Sequence, residues 1–312
     1  MKTFKEICKM TQPQVKDYMH KYLTSKQYKV INENGFLYAK GDIPVLLVAH
    51  MDTVHKFLPT RINDKNGRIS SPQGIGGDDR CGVYMIANIV STLHCSVLLC
   101  EDEETGGVGA SKFTKTQYVK ELDVNYMVEL DRRGSHDAVF YSCANSEFID
   151  FICENTGYEE SWGSYTDIST IMPVSKLCGV NLSCGYYKAH TTDEYVVYAE
   201  MMNTIEVVKK LVQIDVAEPF EYKEKKVLGN WIGGYSSGFG GWSGYGNPSS
   251  KSNLVEMAKK DKLLELEVIA VDDFGQEEIL YAQGETKYEC WFNLFLTYTD
   301  LCFDKILEYN FN

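Results

Sequence analysis

An apolar run that ends in metal-type side chains recurs along the first two thirds of this chain, and no other pattern in the sequence narrows the fold as much. Val45-Leu46-Leu47-Val48-Ala49 delivers His50-Met51-Asp52, and the run at 96–100 delivers Glu101-Asp102-Glu103-Glu104-Thr105-Gly106-Gly107. The run at 124–130 delivers Asp131, and Ala189-His190 follows the run at 176–183. Between the first two lies a glycine-rich turn, Gly74-Ile75-Gly76-Gly77, that leads into Asp78-Asp79. Short apolar runs read as buried strands, and open α/β sheets bind ligands beyond the carboxyl ends of their strands. The polar clusters should therefore crowd at one edge of a sheet. His50, Asp78, Glu104, Asp131 and His190 are the imidazole and carboxylate donors that borderline divalent ions such as zinc prefer, and Glu103 is left free for proton transfer. The residues alone suggest a two-metal hydrolase.

Strand candidates around 28–31, 36–39, 45–49, 96–100, 124–130, 138–142 and 176–183 alternate with helical spacing in the first two dozen residues and at 82–93, 108–121 and 146–155. Asn32-Glu33-Asn34-Gly35 reads as a hairpin turn. This alternation predicts an α/β fold, a mixed sheet flanked by helices on both faces. After His190, Thr191-Thr192-Asp193-Glu194 reads as a helix start with acidic first-turn residues, continuing to about Ile214. We expect a catalytic domain over 1–214, a linker over 215–250 and a small C-terminal module over 251–312. The segment from Gly229 to Ser250 is too rich in glycine for a regular helix or central strand. It reads as a flexible linker, or, given its Trp and Tyr content, as a folded-over lid or partner-binding patch.

The formal charge of −13 and pI near 5.0 argue against a general affinity for nucleic acid or anionic membrane, both of which need a basic field. The 10 cysteines form no Cys-x-x-Cys pair, the first residues lack the apolar core of a signal peptide, and no window approaches the roughly 20 apolar residues of a membrane span. A cytoplasmic protein with reduced thiols is expected, free of membrane.

Taken together and in order, His50-Met51-Asp52, Gly76-Gly77-Asp78-Asp79-Arg80-Cys81-Gly82, Asp102-Glu103-Glu104-Thr105-Gly106, Leu130-Asp131 and Ala189-His190-Thr191 resemble the five metal-site motifs of the di-zinc exopeptidase clan. That clan includes peptidase T, the glutamate carboxypeptidases, aminoacylase and the leucine-type aminopeptidases. The resemblance covers about residues 45–200 and nothing after about 215. It implies two Zn2+ ions, with Co2+ or Mn2+ as substitutes. His50 and Asp131 would be terminal ligands of one, Glu104 and His190 of the other, and Asp78 would bridge them. Asp78 is preferred to Asp79 because the clan's bridging Asp stands four residues before a Gly, here Gly82, and the bond after it is often cis. Asp52 would orient the His50 ring, and Glu103 would be the general base. Arg80 is similar to the basic residue of the branch that carries an inserted, dimerising lid. Asp131 and His190 are only about 60 residues apart, so a compact form without the lid is expected.

The function implied is a zinc-dependent exopeptidase of short peptides, most simply an aminopeptidase. An N-acyl-amino-acid amidohydrolase on the same site and a non-catalytic metal-binding scaffold acting through the C-terminal region are the competing readings. A homo-oligomer formed through the C-terminal module would fit the first. Tyr165 and His136 are candidate oxyanion donors, Arg132-Arg133 a candidate grip on a substrate carboxylate, and Asp167 a candidate partner for a substrate amine, each against a purely structural role. His20 and His94 read as unligated, and His55 as a surface residue.

Overall fold

The computed structural model describes residues 1–163 and 165–224 and, beyond them, three strands, 264–272, 277–284 and 303–311. The chain divides into two compact units, Met1–Lys226 and Val227–Asn312. The first opens with helices α1 (Phe4–Ile7) and α2 (Gln12–Ser25), each started by a threonine capping box, Thr3 with Glu6 and Thr11 with Gln14. The hairpin β1 (Val30–Glu33) and β2 (Phe36–Ala39) follows, and then β3 (Ile43–His50), β4 (Asn63–Lys65) and β5 (Arg68–Ser70). Helix α3 (Gly77–Ile89) leads to β6 (Cys95–Cys100), α4 (Val108–Phe113), β7 (Tyr126–Arg132) and β8 (Asp137–Val139). The unit ends with α5 (Ser146–Thr156), β9 (Glu159–Ser161), α6 (Asp167–Ser175), β10 (Gly179–Ser183), β11 (Tyr186–Tyr187), β12 (Tyr195–Val197) and α7 (Tyr198–Leu211).

Eight strands form one mixed sheet in the order β1-β2-β6-β3-β7-β10-β8-β9. Its centre, β6, β3, β7 and β10, is parallel. Strands covered on both faces need apolar residues at successive positions. Accordingly, Val45 through His50 are all buried, as are Cys95 through Cys100. Helices cover both faces: α3 packs on β3 and β7 with α1 and α7 against it, while α4 and α6 pack on each other and on β2, β3 and β10. Leu47, on the middle strand, is fully buried. Leu47→Ala should cost about 2–5 kcal/mol, read as a lowered denaturation midpoint with an unchanged slope.

The residues between Asp131 and His190 do not form a separate lid. They supply β8, β9 and β10 of the main sheet, with α5 and α6 between them. A second, four-stranded sheet, ordered β11-β12-β5-β4, pairs Val196 with Ile69. Its formation overrides the helix expected to start at Thr191. Tyr195-Val196-Val197 is an aromatic and β-branched triplet that β5 recruits as a strand, so the helix begins only at Tyr198. Helix α4 is shorter than the expected 108–121 and stops at Phe113, where the hydroxyls of Thr114 and Thr116 bond to the carbonyls of Ser111 and Phe113.

Residues 216–222, within the segment expected as a linker, lie on the first unit. Phe220 packs on Tyr126, Phe148 and Phe151, and its carbonyl accepts from the Cys178 amide. The second unit contains an antiparallel three-stranded sheet, ordered β14-β13-β15, from β13 (Leu264–Asp272), β14 (Glu277–Gly284) and β15 (Phe303–Phe311). The Gly229–Ser250 segment lies outside the described residues. Among the described residues no helix is long and apolar enough to cross a membrane, and eight cysteines are unbridged.

Candidate active site

Sheet register places the first donors. His50 ends β3 directly beside Cys100, the last residue of β6, so the Glu103–Glu104 loop springs from the sheet next to the imidazole. On the other side of β3, Val48 pairs with Glu129, which sets Asp131 level with His50. Asp78 comes in from the start of α3, where Asp78 and Asp79 are non-helical and the peptide bond between them is cis. His190 reaches the group from the turn between β11 and β12, with a left-handed backbone (φ 65).

Two groups of donors result. His50, Asp78 and Asp131 form one, and Asp78, Glu104 and His190 the other, with the ligand atoms of each within 4.8 Å of one another. Asp78 belongs to both through different oxygens: Oδ1 lies 3.0 Å from His50 Nε2 and Oδ2 lies 3.2 Å from His190 Nε2. His50 Nε2 is 3.6 Å from Asp131 Oδ1, and His190 Nε2 is 3.2 Å from Glu104 Oε2. Asp79 takes no part, because its carboxylate accepts from the backbone amides of His50 and Gly82.

Asp52 ties the arrangement together. Its Oδ1 lies 3.1 Å from His50 Nδ1 and accepts from the Glu103 amide, and its Oδ2 accepts from the Glu104 amide at 3.1 Å. One carboxylate thus aims the imidazole and fixes the loop that carries both glutamates. Arg80, also buried, donates to the carbonyls of Met51, Asp52 and Met10 and so pins the segment that follows His50 to the turn between α1 and α2.

Electrostatics reflect the density of carboxylates. Burial works against a charged His50, but Asp131, Asp52 and Asp78 outweigh it and hold its pKa well above the imidazole range. Hydrogen bonds to Asp78 and Glu104 push His190 up to about 11. Burial would raise Asp78, but the two imidazoles overcome it and hold the carboxyl well below its usual range. Burial, together with Asp78, pushes Asp131 up to about 7, with His50 opposing. Glu103 is pushed up to about 9 by burial, with Asp131, Asp167 and Asp78 adding to it and His50 opposing. Glu104 Oε1 is buried without a hydrogen-bond partner. A concentration of hard oxygen and imidazole donors with an unpartnered buried carboxylate oxygen is what divalent cations stabilise, so the residues fit such ions.

No protein-family model matches the sequence, and no curated protein matches it. The three-dimensional comparison is positive. The structure is similar to the aminopeptidase PepT from Bacillus cereus, with a TM-score of 0.55 and 15% identity, covering 67% of this chain and 96% of that one. It is similar to a tripeptidase from Staphylococcus aureus at 0.56 and 13%, covering 68% and 96% of the two chains. An aminopeptidase from the archaeon Desulfurococcus kamchatkensis matches at 0.52 and 15%, covering 67% and 93%. The chain has the fold of these peptidase structures. Within that fold, the two donor groups stand at the carboxyl edge of the parallel strands.

Tyr165, about half exposed, rests its hydroxyl against Gly107 at the end of the Glu103–Glu104 loop. His136 is occupied elsewhere, with Ser135 Oγ 2.7 Å from Nδ1 and the ring against Tyr158. Arg132 is held by Asp137, with contacts from Nε and Nη2 to one oxygen, and is not a free anion grip. Asp167 is the first residue of α6 and fully buried, and burial pushes its carboxyl up to about 6. His94 pairs with Asp42 away from the site.

His55 differs from expectation. It is not a surface residue: its side chain is 9% exposed and bonds to buried Glu194. Sequence reasoning also passed over Tyr186 and Thr166, whose hydroxyls lie 3.3 Å from the two oxygens of Asp131, and Asn181, which bonds both the amide and the carbonyl of that residue. Asn181 lies on β10 beside β7 and carried a signal, a polar side chain inside an otherwise apolar strand run.

Proposed function

We infer that this chain is a di-zinc aminopeptidase that hydrolyses short peptides. What supports the reading is one observation, the sharing of Asp78 between two three-donor groups with Glu103 alongside. His50, Asp131 and Asp78 would hold one ion, and Glu104, His190 and Asp78 the other. The ions supply Lewis acidity and lower the pKa of a bound water. Asp52 keeps Nε2 of His50 turned toward the donor group by engaging Nδ1. Glu103 accepts the proton of the attacking water on a carboxylate oxygen and returns it to the departing amine. Burial is the main cause that raises Glu103, and bound cations would offset only the smaller share that Asp131 and Asp78 add to it. The formal charge of −13 and the unbridged cysteines among the described residues support a cytoplasmic location as part of this reading.

The deciding experiment is a mixed pool of free and N-blocked di- and tripeptides incubated with zinc-loaded protein and followed by mass spectrometry. The expected result is loss of N-terminal residues from free peptides only. Cleavage of blocked species instead would move the assignment to a deacylase or carboxypeptidase, and no cleavage of either by protein holding two ions would refute a peptidase.

A further inference from the structure

The glycine turn before Asp78 and the loop after His190 meet at a single buried carboxylate, Glu194, which the mechanism above does not use. Glu194 is 0% exposed. It accepts from the amide of Gly76 at 2.8 Å and of Asp78 at 3.0 Å, and His55 Nε2 lies 2.7 Å from Oε2. An ionised carboxylate out of water is costly unless such donors surround it, and three charge-assisted bonds meet that condition here.

The surrounding residues are shaped to this contact. Gly74, at φ +80, lies beneath the His55 ring, where a Cβ would collide with the imidazole. A Cβ at Gly77 would press on Val196, Tyr186 and Oε1 of Glu194. The small second sheet brings the partners together, because β5 ends at Ser70 just before the turn and β12 begins at Tyr195 just after Glu194, and the two strands pair. The glycines thus do more than allow a tight turn. They make room for the His55–Glu194 pair.

The position of the pair gives it consequence. By holding the Asp78 amide, Glu194 sets where the side chain leaves the backbone, and that side chain divides its oxygens between His50 and His190. Glu194 also stands four residues after His190, so the same carboxylate anchors the loop of the second imidazole. We propose that Glu194, held by His55, is a positioning residue that fixes Asp78 between the two donor groups and ties the His190 loop to it, so that two cation sites fill as a unit. The proposal rests on the two-cation reading above.

The test is a zinc titration of the full chain against a competing fluorescent chelator, with melting temperature recorded in excess chelator. The wild-type protein should take two ions. Glu194→Gln, which keeps the volume but presents an N–H to a donor, should weaken both ions together by about 10–100-fold. His55→Phe, which keeps a ring over Gly74 and removes the N–H, should weaken both by about tenfold. His55→Gln, whose amide can donate in its place, should recover part of that loss. Unchanged affinities in both Glu194→Gln and His55→Phe would overturn the clamp, even with a lowered melting temperature, since that pattern marks a purely structural bond. A loss confined to one ion would overturn the coupling. If Glu194→Gln does not fold, the His55 variants decide by the same measurement. A wild-type protein that binds fewer than two ions would refute the two-cation reading itself, a result distinct from the others.

Discussion

Glu103→Ala is expected to lower peptide turnover by about 10²–10⁴-fold while metal uptake stays at two ions, because general acid–base catalysis contributes on that scale and Glu103 belongs to neither donor group. The two readouts matter together. Glu104, next in sequence, lies 3.2 Å from His190, so its loss should remove metal as well as activity. Glu103→Gln should behave like Glu103→Ala, since the amide fills the space but cannot take a proton. Near-normal turnover in either variant, measured on zinc-loaded protein with free tripeptides, would remove Glu103 from the mechanism.

Asp78→Asn should be the most damaging change to metal retention, abolishing uptake of the second ion and weakening the first. It removes the whole negative charge a shared carboxylate offers two cations, and an amide presents one acceptor oxygen where two are needed. The same geometry fixes the sign of the pH dependence. In the metal-free protein His190 titrates near pH 11, raised by its bonds to Asp78 and Glu104, so at neutral pH it carries a proton that a metal must displace. Zinc uptake should therefore release protons, and affinity should rise with pH, by about tenfold per unit for each proton displaced, until His190 deprotonates unaided. Calorimetry in buffers of different ionisation enthalpy reads the proton count. Uptake without proton release, or Asp78→Asn still holding two ions, would contradict the assignment of this donor group.

The central donors were legible as a cluster because each closes or follows an apolar strand run, and register then leaves little freedom. His50 beside Cys100 and Asp131 beyond Glu129 follow from parallel pairing alone. Asp78 and Asp79 could not be separated by residue type. Only backbone geometry shows Asp79 consumed by the amides of His50 and Gly82. Glu194 was hidden by a false cue, since an acidic residue soon after a Thr pair imitates a helix start, whereas tertiary pairing of Val196 with Ile69 makes it the lead-in to a strand. Strands of two or three residues, such as β11, β12, β4 and β5, are too short to express a period, so the small sheet that joins the Asp78 turn to the His190 loop left no pattern to read.

The strand order of the main sheet bears on how the protein is made. Parallel neighbours cannot be joined by a tight turn, so β3, β6 and β7 come together only after long crossovers have closed. A growing chain that has not reached His190 holds at most the triad of His50, Asp78 and Asp131, and it lacks the loop that completes the second group. All eight strands of the main sheet precede His190 in the chain, so the sheet can close before the second group exists. A cation held by both groups would then arrive last, on a sheet already closed.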